Sequence, residues 1–151
     1  MRRIGAVVGI VVLAFVFSDC ARKFTGGGDL GTAEFEFVYK VQNSNGTGKA
    51  QGFYHDKSAV IGQTPVPVRF KFNGILSSQT QGPDHCIQGT LGYISQDKDY
   101  PGSGAVDVQG CDNGEPSGPS NGDTLTVTVT SGPYTGYTNS GTVKGNLQAH
   151  N

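Results

Sequence analysis

Tryptophan is missing from this 151-residue sequence, methionine occurs once, and charged residues make up only 15% of the chain. No block of like charge is present, and the formal net charge is −1. Binding to nucleic acid needs a basic face that neutralises phosphates, so the sequence excludes nucleic acid as a partner. A charge-driven contact with a lipid surface is disfavoured for the same reason. The 24 glycines follow no three-residue period, which excludes a collagen.

Long apolar runs are also absent, except for the fourteen residues 4–17, which follow Arg2 and Arg3. A helix that crosses a bilayer needs about 20 apolar residues. A basic start followed by a shorter apolar run is the layout of a bacterial export signal. We therefore expect residues 1–19 to form a signal-peptide helix. The protein is then exported to the bacterial cell envelope or the extracellular space.

Cys20 stands directly after this segment, where a lipoprotein signal is cut and acylated. Phe17, Ser18 and Asp19 precede it and resemble a lipobox, although Phe17 is bulkier than usual and Asp19 departs from the usual small residue. No small-x-small cleavage site follows nearby. We expect lipidation of Cys20, which makes the membrane a partner through an N-terminal lipid anchor. An ordinary cleaved signal and an uncleaved anchor are the alternatives.

Three cysteines are an odd number for an exported protein. If Cys20 carries lipid, Cys86 and Cys111 are left, and they can pair in an oxidising compartment. The cysteine count therefore supports both the lipid anchor and a disulfide between Cys86 and Cys111.

The apolar pattern around the two cysteines predicts the same disulfide. Residues 86–95 and 104–111 have the composition of two antiparallel strands. A register that places the cysteines opposite each other also places Leu91 opposite Val106 and collects the apolar residues on one face. A slip of one residue would move them to the wrong face. We therefore expect the disulfide to join neighbouring strands, with its Cα atoms about 5.5 Å apart.

Apolar and polar residues alternate in several segments of the rest of the chain, for example at residues 33–41 and 124–130. No segment after the signal has helical periodicity. About seven to nine short strands, separated by turns rich in Gly, Asn and Ser, predict an all-β fold. Its architecture is an antiparallel β-sandwich or a closed barrel. We expect one domain over residues 32–151, after a flexible glycine-rich tether at residues 20–31.

Two details of the strands affect the fold. Asn73-Gly74 is either a two-residue hairpin turn or a bulge within a longer strand. A last strand is expected over residues 141–149, with Val143 and Leu147 pointing inward.

Three segments of the C-terminal third carry a resemblance: the turn at residues 112–116 (DNGEP), the strand at residues 123–130 and the ending at residues 141–150 (GTVKGNLQAH). Together they resemble a small secreted all-β module that occurs alone and within larger bacterial surface proteins and lipoproteins. The resemblance implies export and an all-β fold. It implies no established enzymatic activity.

Calcium is the leading cofactor candidate, because two groups of acidic residues could supply some of its six to eight oxygen ligands. The better candidate is a loop whose oxygen-bearing side chains include Asp112, Asn113, Glu115 and Asp123. The second group consists of Asp97, Asp99 and Asp107. Neither group has the spacing of an EF-hand, and Asp and Asn are also ordinary turn residues. A metal site formed by His55, His85 and His150 is disfavoured, since none of them is spaced with another as a recognised ligand pair.

Catalytic chemistry has one candidate, the sequence Asp84-His85-Cys86, in which a histidine could activate a thiol. Adjacent residues on a strand point to opposite faces, however, and Cys86 already has a partner. His55, His85 and His150 are scattered along the chain. We therefore expect no catalytic residues and no enzyme.

The resulting hypothesis is a surface-tethered, non-enzymatic β-module that is structural or binds a protein or a glycan. Its recognition loops are expected at residues 96–101 and 112–123, at opposite ends of one strand. A small envelope hydrolase is one alternative. The other is a barrel that carries a small apolar ligand in an enclosed cavity.

Overall fold

The computed structural model describes residues 23–43, 46–81, 84–114 and 122–150, and for residues 77–81, 84 and 85 the backbone alone. The predicted signal peptide, Cys20 and Glu115 lie outside the described residues. Within the described ranges all regular secondary structure is β-strand. No described helix therefore has the length and hydropathy of a membrane span. The prediction of an all-β fold is confirmed.

The strands, in chain order, are β1 (Lys23–Leu30), β2 (Ala33–Val41), β3 (Thr47–Asp56), β4 (Val60–Ile61), β5 (Thr64–Pro65), β6 (Val68–Gln81), β7 (Asp84–Ser95), β8 (Ser103–Asp112), β9 (Thr124–Val129), β10 (Thr138–Thr142) and β11 (Lys144–His150). Nine of them form one antiparallel sheet in the order β10-β9-β8-β7-β6-β3-β2-β1-β11. Strands β4 and β5, of two residues each, form a separate antiparallel ribbon.

The large sheet curls until it nearly closes, which gives a barrel-like sandwich. Its two end strands are consecutive in the chain. Strand β10 pairs with β9, and after Val143 strand β11 pairs with β1 at the other end of the sheet. The last strand predicted at residues 141–149 is therefore two strands, because the chain changes its pairing partner at Val143. The predicted inward positions of Val143 and Leu147 are confirmed, since both are fully buried.

The glycine-rich segment expected to be a flexible tether is a strand from Lys23 onward, so that expectation is wrong for β1. Strand β1 pairs with β2 on one side and β11 on the other. Phe24 and Leu30 point into the core. Gly26 lies beneath Leu147, where an added Cβ would be 2.4 Å from the leucine Cδ2 atom. The composition suggested a linker, whereas glycine here makes room for a core side chain.

Strand β6 settles the alternatives at Asn73-Gly74. It continues through both residues and keeps one register with β3 over its first ten residues, so there is neither a hairpin turn nor a bulge against β3. Pro67 directly precedes β6, the position where a residue without an N–H does least harm to the ladder.

Side chains fill the interior of the sheet. The rings of Tyr54, Phe70 and Tyr93 form a continuous aromatic row, with centroids 5.4 and 4.9 Å apart. Gly52 on β3 makes room for a further ring, that of Phe72. At Gly52 an added Cβ would lie 2.1 Å from the Glu36 carbonyl oxygen and would also meet the ring of a core phenylalanine.

The seam of the barrel, where β11 lies beside the adjoining ends of β8 and β9, is closed by two aspartates. The Leu147 N–H donates to Asp123 Oδ2 at 2.7 Å, and the Ala149 N–H donates to Asp112 Oδ2 at 2.8 Å. The other Asp123 oxygen accepts the Asn113 N–H at 3.0 Å. These carboxylates supply the acceptors that a neighbouring strand would otherwise provide.

The predicted register of β7 and β8 is confirmed. Leu91 lies opposite Val106, and Cys86 lies opposite Cys111. The two cysteines form a disulfide with their Cα atoms 4.1 Å apart, closer than expected and well inside the distance beyond which a bond cannot form. The loops on either side of β8 therefore leave it from opposite ends, as the sequence predicted.

Candidate functional site

The outer face of β2, β3 and β6 carries an elongated depression, which we call the outer groove. Alternation along β3 turns Ala50 and Tyr54 into the core and leaves Gln51, Phe53 and His55 on the outside. These three outward side chains form the floor of the groove. Phe53 is 38% exposed, although it is a large apolar residue on the otherwise polar face of its strand.

Strand register sets the walls of the outer groove. Each floor residue on β3 lies between one residue of β2 and one of β6, which gives three successive steps. The steps are Val38, Gln51 and Asn73; Glu36, Phe53 and Lys71; and Glu34, His55 and Arg69. The first step has two amides beside a valine, the second has an aromatic ring between two opposite charges, and the third has three ionisable groups.

The outer groove is large enough for an extended ligand. Its volume is about 420 Å³ beside Phe53 and about 360 Å³ around His55 and Arg69. A further 440 Å³ lies where Gln96 and Lys98, after β7, meet the same two residues. Each part is in the range of small-molecule sites, roughly 300–1,000 Å³. Neighbouring parts share lining residues, so the groove is continuous.

The two walls carry opposite charge. Glu34 and Glu36 form the acidic wall on β2, and Arg69 and Lys71 form the basic wall on β6. None of these four exposed side chains makes an ion pair with another described residue. Their charges are therefore available to a ligand that lies along β3.

A separate polar cluster is buried at one end of the barrel and centres on Asp56, which is 5% exposed. Its carboxylate accepts the Tyr137 hydroxyl at 2.8 Å and the Thr32 hydroxyl at 2.9 Å. The Tyr137 and Tyr54 hydroxyl oxygens are 2.6 Å apart, and Asn139 donates to Tyr54 at 2.8 Å. Every member of the cluster has a partner, and the cluster lies inside rather than in the groove.

Burial controls the ionisation of these tyrosines. Desolvation raises the pKa of Tyr54 to about 12, against opposing hydrogen bonds from Tyr137 and Asn139. Burial, with Tyr54 and Asp56 as neighbours, also raises the pKa of Tyr137. Both phenols are therefore neutral at physiological pH, which fits a structural role in holding β3 to the loop before β10.

The predicted calcium loop gains no support from the described residues. Asp112 and Asp123 are close together, but both carboxylates accept backbone N–H groups at the seam. Asn113 donates its side-chain amide to the Gly122 carbonyl. No group of three or more His, Cys, Asp or Glu residues that could hold a metal occurs in the part of the chain that the structure describes.

The second acidic group is dispersed. Asp97 accepts the Asp99 N–H in the loop after β7, whereas Asp107 accepts the Thr90 hydroxyl in the middle of the neighbouring outer face. These residues therefore do not form one site.

The residues considered for catalysis are also separated or already engaged. Cys86 is bonded to Cys111. His55 lies on the floor of the outer groove, and His150 is on β11, where its ring nitrogen is 3.0 Å from the Thr25 hydroxyl. The side chains of Asp84 and His85 lie outside what the structure describes, as does all of Glu115.

A carrier of apolar ligands needs an enclosed cavity, and the described residues leave little room for one. The space between the aromatic rings and the aliphatic side chains of β8 and β9 is about 10 Å³. This is roughly the volume that a single water requires. The described interior is therefore a packed core.

A comparison of the chain with protein-family models, with curated proteins and with solved structures finds no match. The resemblance to secreted β-modules of bacterial surface proteins therefore stays a prediction.

Sequence reasoning placed recognition on two loops and missed the outer groove. The groove does include Gln96 and Lys98 from the first of those loops. One sequence signal for it exists in β3, where Phe53 breaks the alternation because it is a large apolar residue in an outward position. The basic wall has no such signal, because β6 is distant from β3 in the chain and their pairing is not readable from the sequence.

Proposed function

We propose that this protein is an exported, lipid-anchored component of the bacterial envelope. Its all-β domain is a non-enzymatic binding module that holds its partner in the outer groove. The observation that carries the proposal is the half-exposed Phe53 between Glu36 and Lys71, whose charges have no described partner. Because this floor belongs to a strand paired on both sides, its side chains are held on a rigid platform.

Export and anchoring are supported by the cysteines. The disulfide uses Cys86 and Cys111, which leaves Cys20 as the one cysteine without a partner in the sequence. A disulfide also fits an oxidising compartment. Strand β1 begins three residues after Cys20, a span of at most about 10 Å. A lipid on Cys20 would therefore hold the domain close to the bilayer surface.

Binding rather than catalysis is supported by the groove's composition. A nucleophilic mechanism needs a hydroxyl or thiol within hydrogen-bond reach of a base. Within the described residues His55 makes no hydrogen bond to a hydroxyl or thiol, and its cross-strand neighbours are Glu34 and Arg69. Amides, one aromatic ring and separated charges are the groups with which a binding site orients a ligand.

The anchor is tested by metabolic labelling with a fatty-acid analogue. We expect the wild type to be labelled and Cys20→Ala to lose the label, because the acylated sulfur is gone. Cys111→Ala is the matched control and should keep the label. An unlabelled wild type of lowered mass would show ordinary signal cleavage instead.

The binding surface is tested with a photo-crosslinking residue in the full-length protein in intact cells. Placed at Gln51, on the floor of the outer groove, it should give discrete adducts. The same residue at Lys144, which is exposed at the start of β11 and lies outside the groove, is the control and should give none. The adducts should disappear in Phe53→Ala. Equal labelling from both positions, or none from Gln51, would contradict a binding role for the groove.

A further inference from the structure

We infer that the ligand of the outer groove is a linear glycan, with one sugar ring stacked on Phe53. This inference rests on the proposed function and adds the class of ligand. A sugar ring presents an apolar C–H face and a rim of hydroxyls, each of which can donate and accept a hydrogen bond. The groove presents one aromatic face with polar groups on both sides.

The three steps of the groove match such a chain in chemistry. Gln51, Phe53 and His55 are spaced two residues apart, which is about 7 Å per step along an extended strand. The ring of Phe53 is therefore flanked by an amide on one side and by an imidazole on the other. Asn73 and Arg69 continue these two polar steps on β6, about 5 Å away. A sugar ring stacked on Phe53 therefore has polar side chains within reach of its hydroxyls on both sides.

An extended peptide is a poorer occupant because of where the groove lies. Peptides that bind to sheets as added strands gain main-chain hydrogen bonds at a free edge. Strands β2, β3 and β6 each pair with a neighbour on both sides, so their main-chain groups are engaged in the sheet. Only side chains remain for binding, and among the described residues that line the groove Phe53 is the one large apolar side chain that is exposed.

A folded protein is a poorer occupant because of the area it would need. A stable interface buries about 800 Å² per partner around an apolar centre. Ile75 and Ile94 are exposed on the same outer face at 56% and 63%, but neither lines the groove. A protein partner would have to reach them as well, whereas a glycan confined to the groove would not. Substitution of Ile75 or Ile94 should therefore weaken the binding of a protein and leave the binding of a glycan unchanged.

The experiment is isothermal titration of the mature full-length protein in detergent with three linear hexasaccharides. These are neutral cellohexaose, N-acetylated chitohexaose and an acidic hyaluronan hexasaccharide. We expect saturable binding of at least one of them. Phe53→Ala should weaken it about tenfold, because ring stacking is lost. Gln51→Ala and Asn73→Ala should each weaken it about fivefold through a lost hydrogen bond.

Ile75→Ala and Ile94→Ala are the matched controls and should bind as the wild type does. Each variant is first shown to have a wild-type unfolding midpoint. Binding of none of the three sugars would overturn the inference. So would a loss in Ile75→Ala or Ile94→Ala equal to that in Phe53→Ala.

The photo-crosslinking experiment keeps the two proposals distinguishable. If no sugar binds but Gln51 crosslinks specifically to an envelope protein, the glycan is wrong and the binding module stands. If Gln51 gives no adducts and no sugar binds, both are wrong.

Discussion

Single carboxylates at the seam take the place of a strand. Asp123 is fully buried and satisfies two N–H groups from different parts of the chain. Asp112, which is less buried, accepts the N–H group of Ala149. Buried N–H groups without an acceptor are costly. The pairing of β11 with the rest of the barrel on this side therefore depends on two residues that the sequence suggested as calcium ligands.

Asp123→Ala should lower the free energy of unfolding by about 3 kcal/mol, because two N–H groups lose their acceptor. Asp123→Asn should cost less, since its amide oxygen can still accept one of them. Urea unfolding measures the change. Asp107→Ala removes an exposed aspartate from the outer face of β8 and is the control. An equal effect from Asp107→Ala and Asp123→Ala would contradict the role of the seam.

The buried tyrosines predict how stability depends on alkaline pH. The pKa of Tyr54 is about 12 in the folded protein and about 10 when the chain is unfolded. The folded state therefore holds a proton that the unfolded state releases. The stability that this bound proton contributes to the folded state is complete below about pH 10 and is lost as the pH rises through about 12.

Tyr54→Phe should consequently show a shallower fall of the unfolding free energy between pH 10 and 12 than the wild type does. Its stability at neutral pH should be lower, because the hydrogen bonds to Tyr137 and Asn139 are lost. Urea unfolding at successive pH values measures both. Parallel curves for the two proteins would contradict the raised pKa.

At the scale of elements, alternation predicted the strands whose inner and outer faces differ clearly. Residues 33–41 and 124–130 are examples, and the β7–β8 register followed from parity together with the cysteines. Strand β1 could not be predicted in this way, because four of its eight positions are glycine or aspartate, which are uncommon in strands. The change of partner at Val143 was also hidden, since it depends on where distant strands lie.

The disulfide between β7 and β8 should stabilise the domain by about 3 kcal/mol, because it closes a loop of sequence separation 25 in the unfolded chain. We expect Cys86→Ala combined with Cys111→Ala to lower the free energy of unfolding by that amount. Reduced wild type should lose a similar amount, and the double variant should not respond to reductant. A wild type insensitive to reduction under unfolding conditions would contradict this.

At the scale of the whole molecule, the sequence predicted the class of fold and left a sandwich and a barrel open. The structure is a sheet that nearly closes, which the sequence does not reveal because closure depends on pairings between β1 and β11 and along the seam. The outer groove was missed for a related reason. Strands β3 and β6 are neighbours in the sheet, but β4, β5 and their turns separate them in the chain.

Removal of residues 144–151 should abolish cooperative unfolding of the domain. The deletion removes β11, so β1 loses one of its two neighbouring strands. Asp112 and Asp123 lose the N–H donors of Ala149 and Leu147 at the seam. Removal of Asn151 alone is the control and should leave the unfolding midpoint unchanged. Circular dichroism during heating measures both. A truncated chain that still melts cooperatively would show that the barrel does not need its last strand.

Pairing of Lys23 with His150 also has a consequence for how the protein is made. Strand β1 can pair with β11 only after residues 144–150 have been synthesised, so the nascent chain cannot complete its sheet before then. Long-range pairing of this kind is slow to form, because the ends of a long loop must meet first. In a chain exported as proposed, the sheet would stay incomplete until the residues of β11 have crossed the membrane, and folding would finish on the far side.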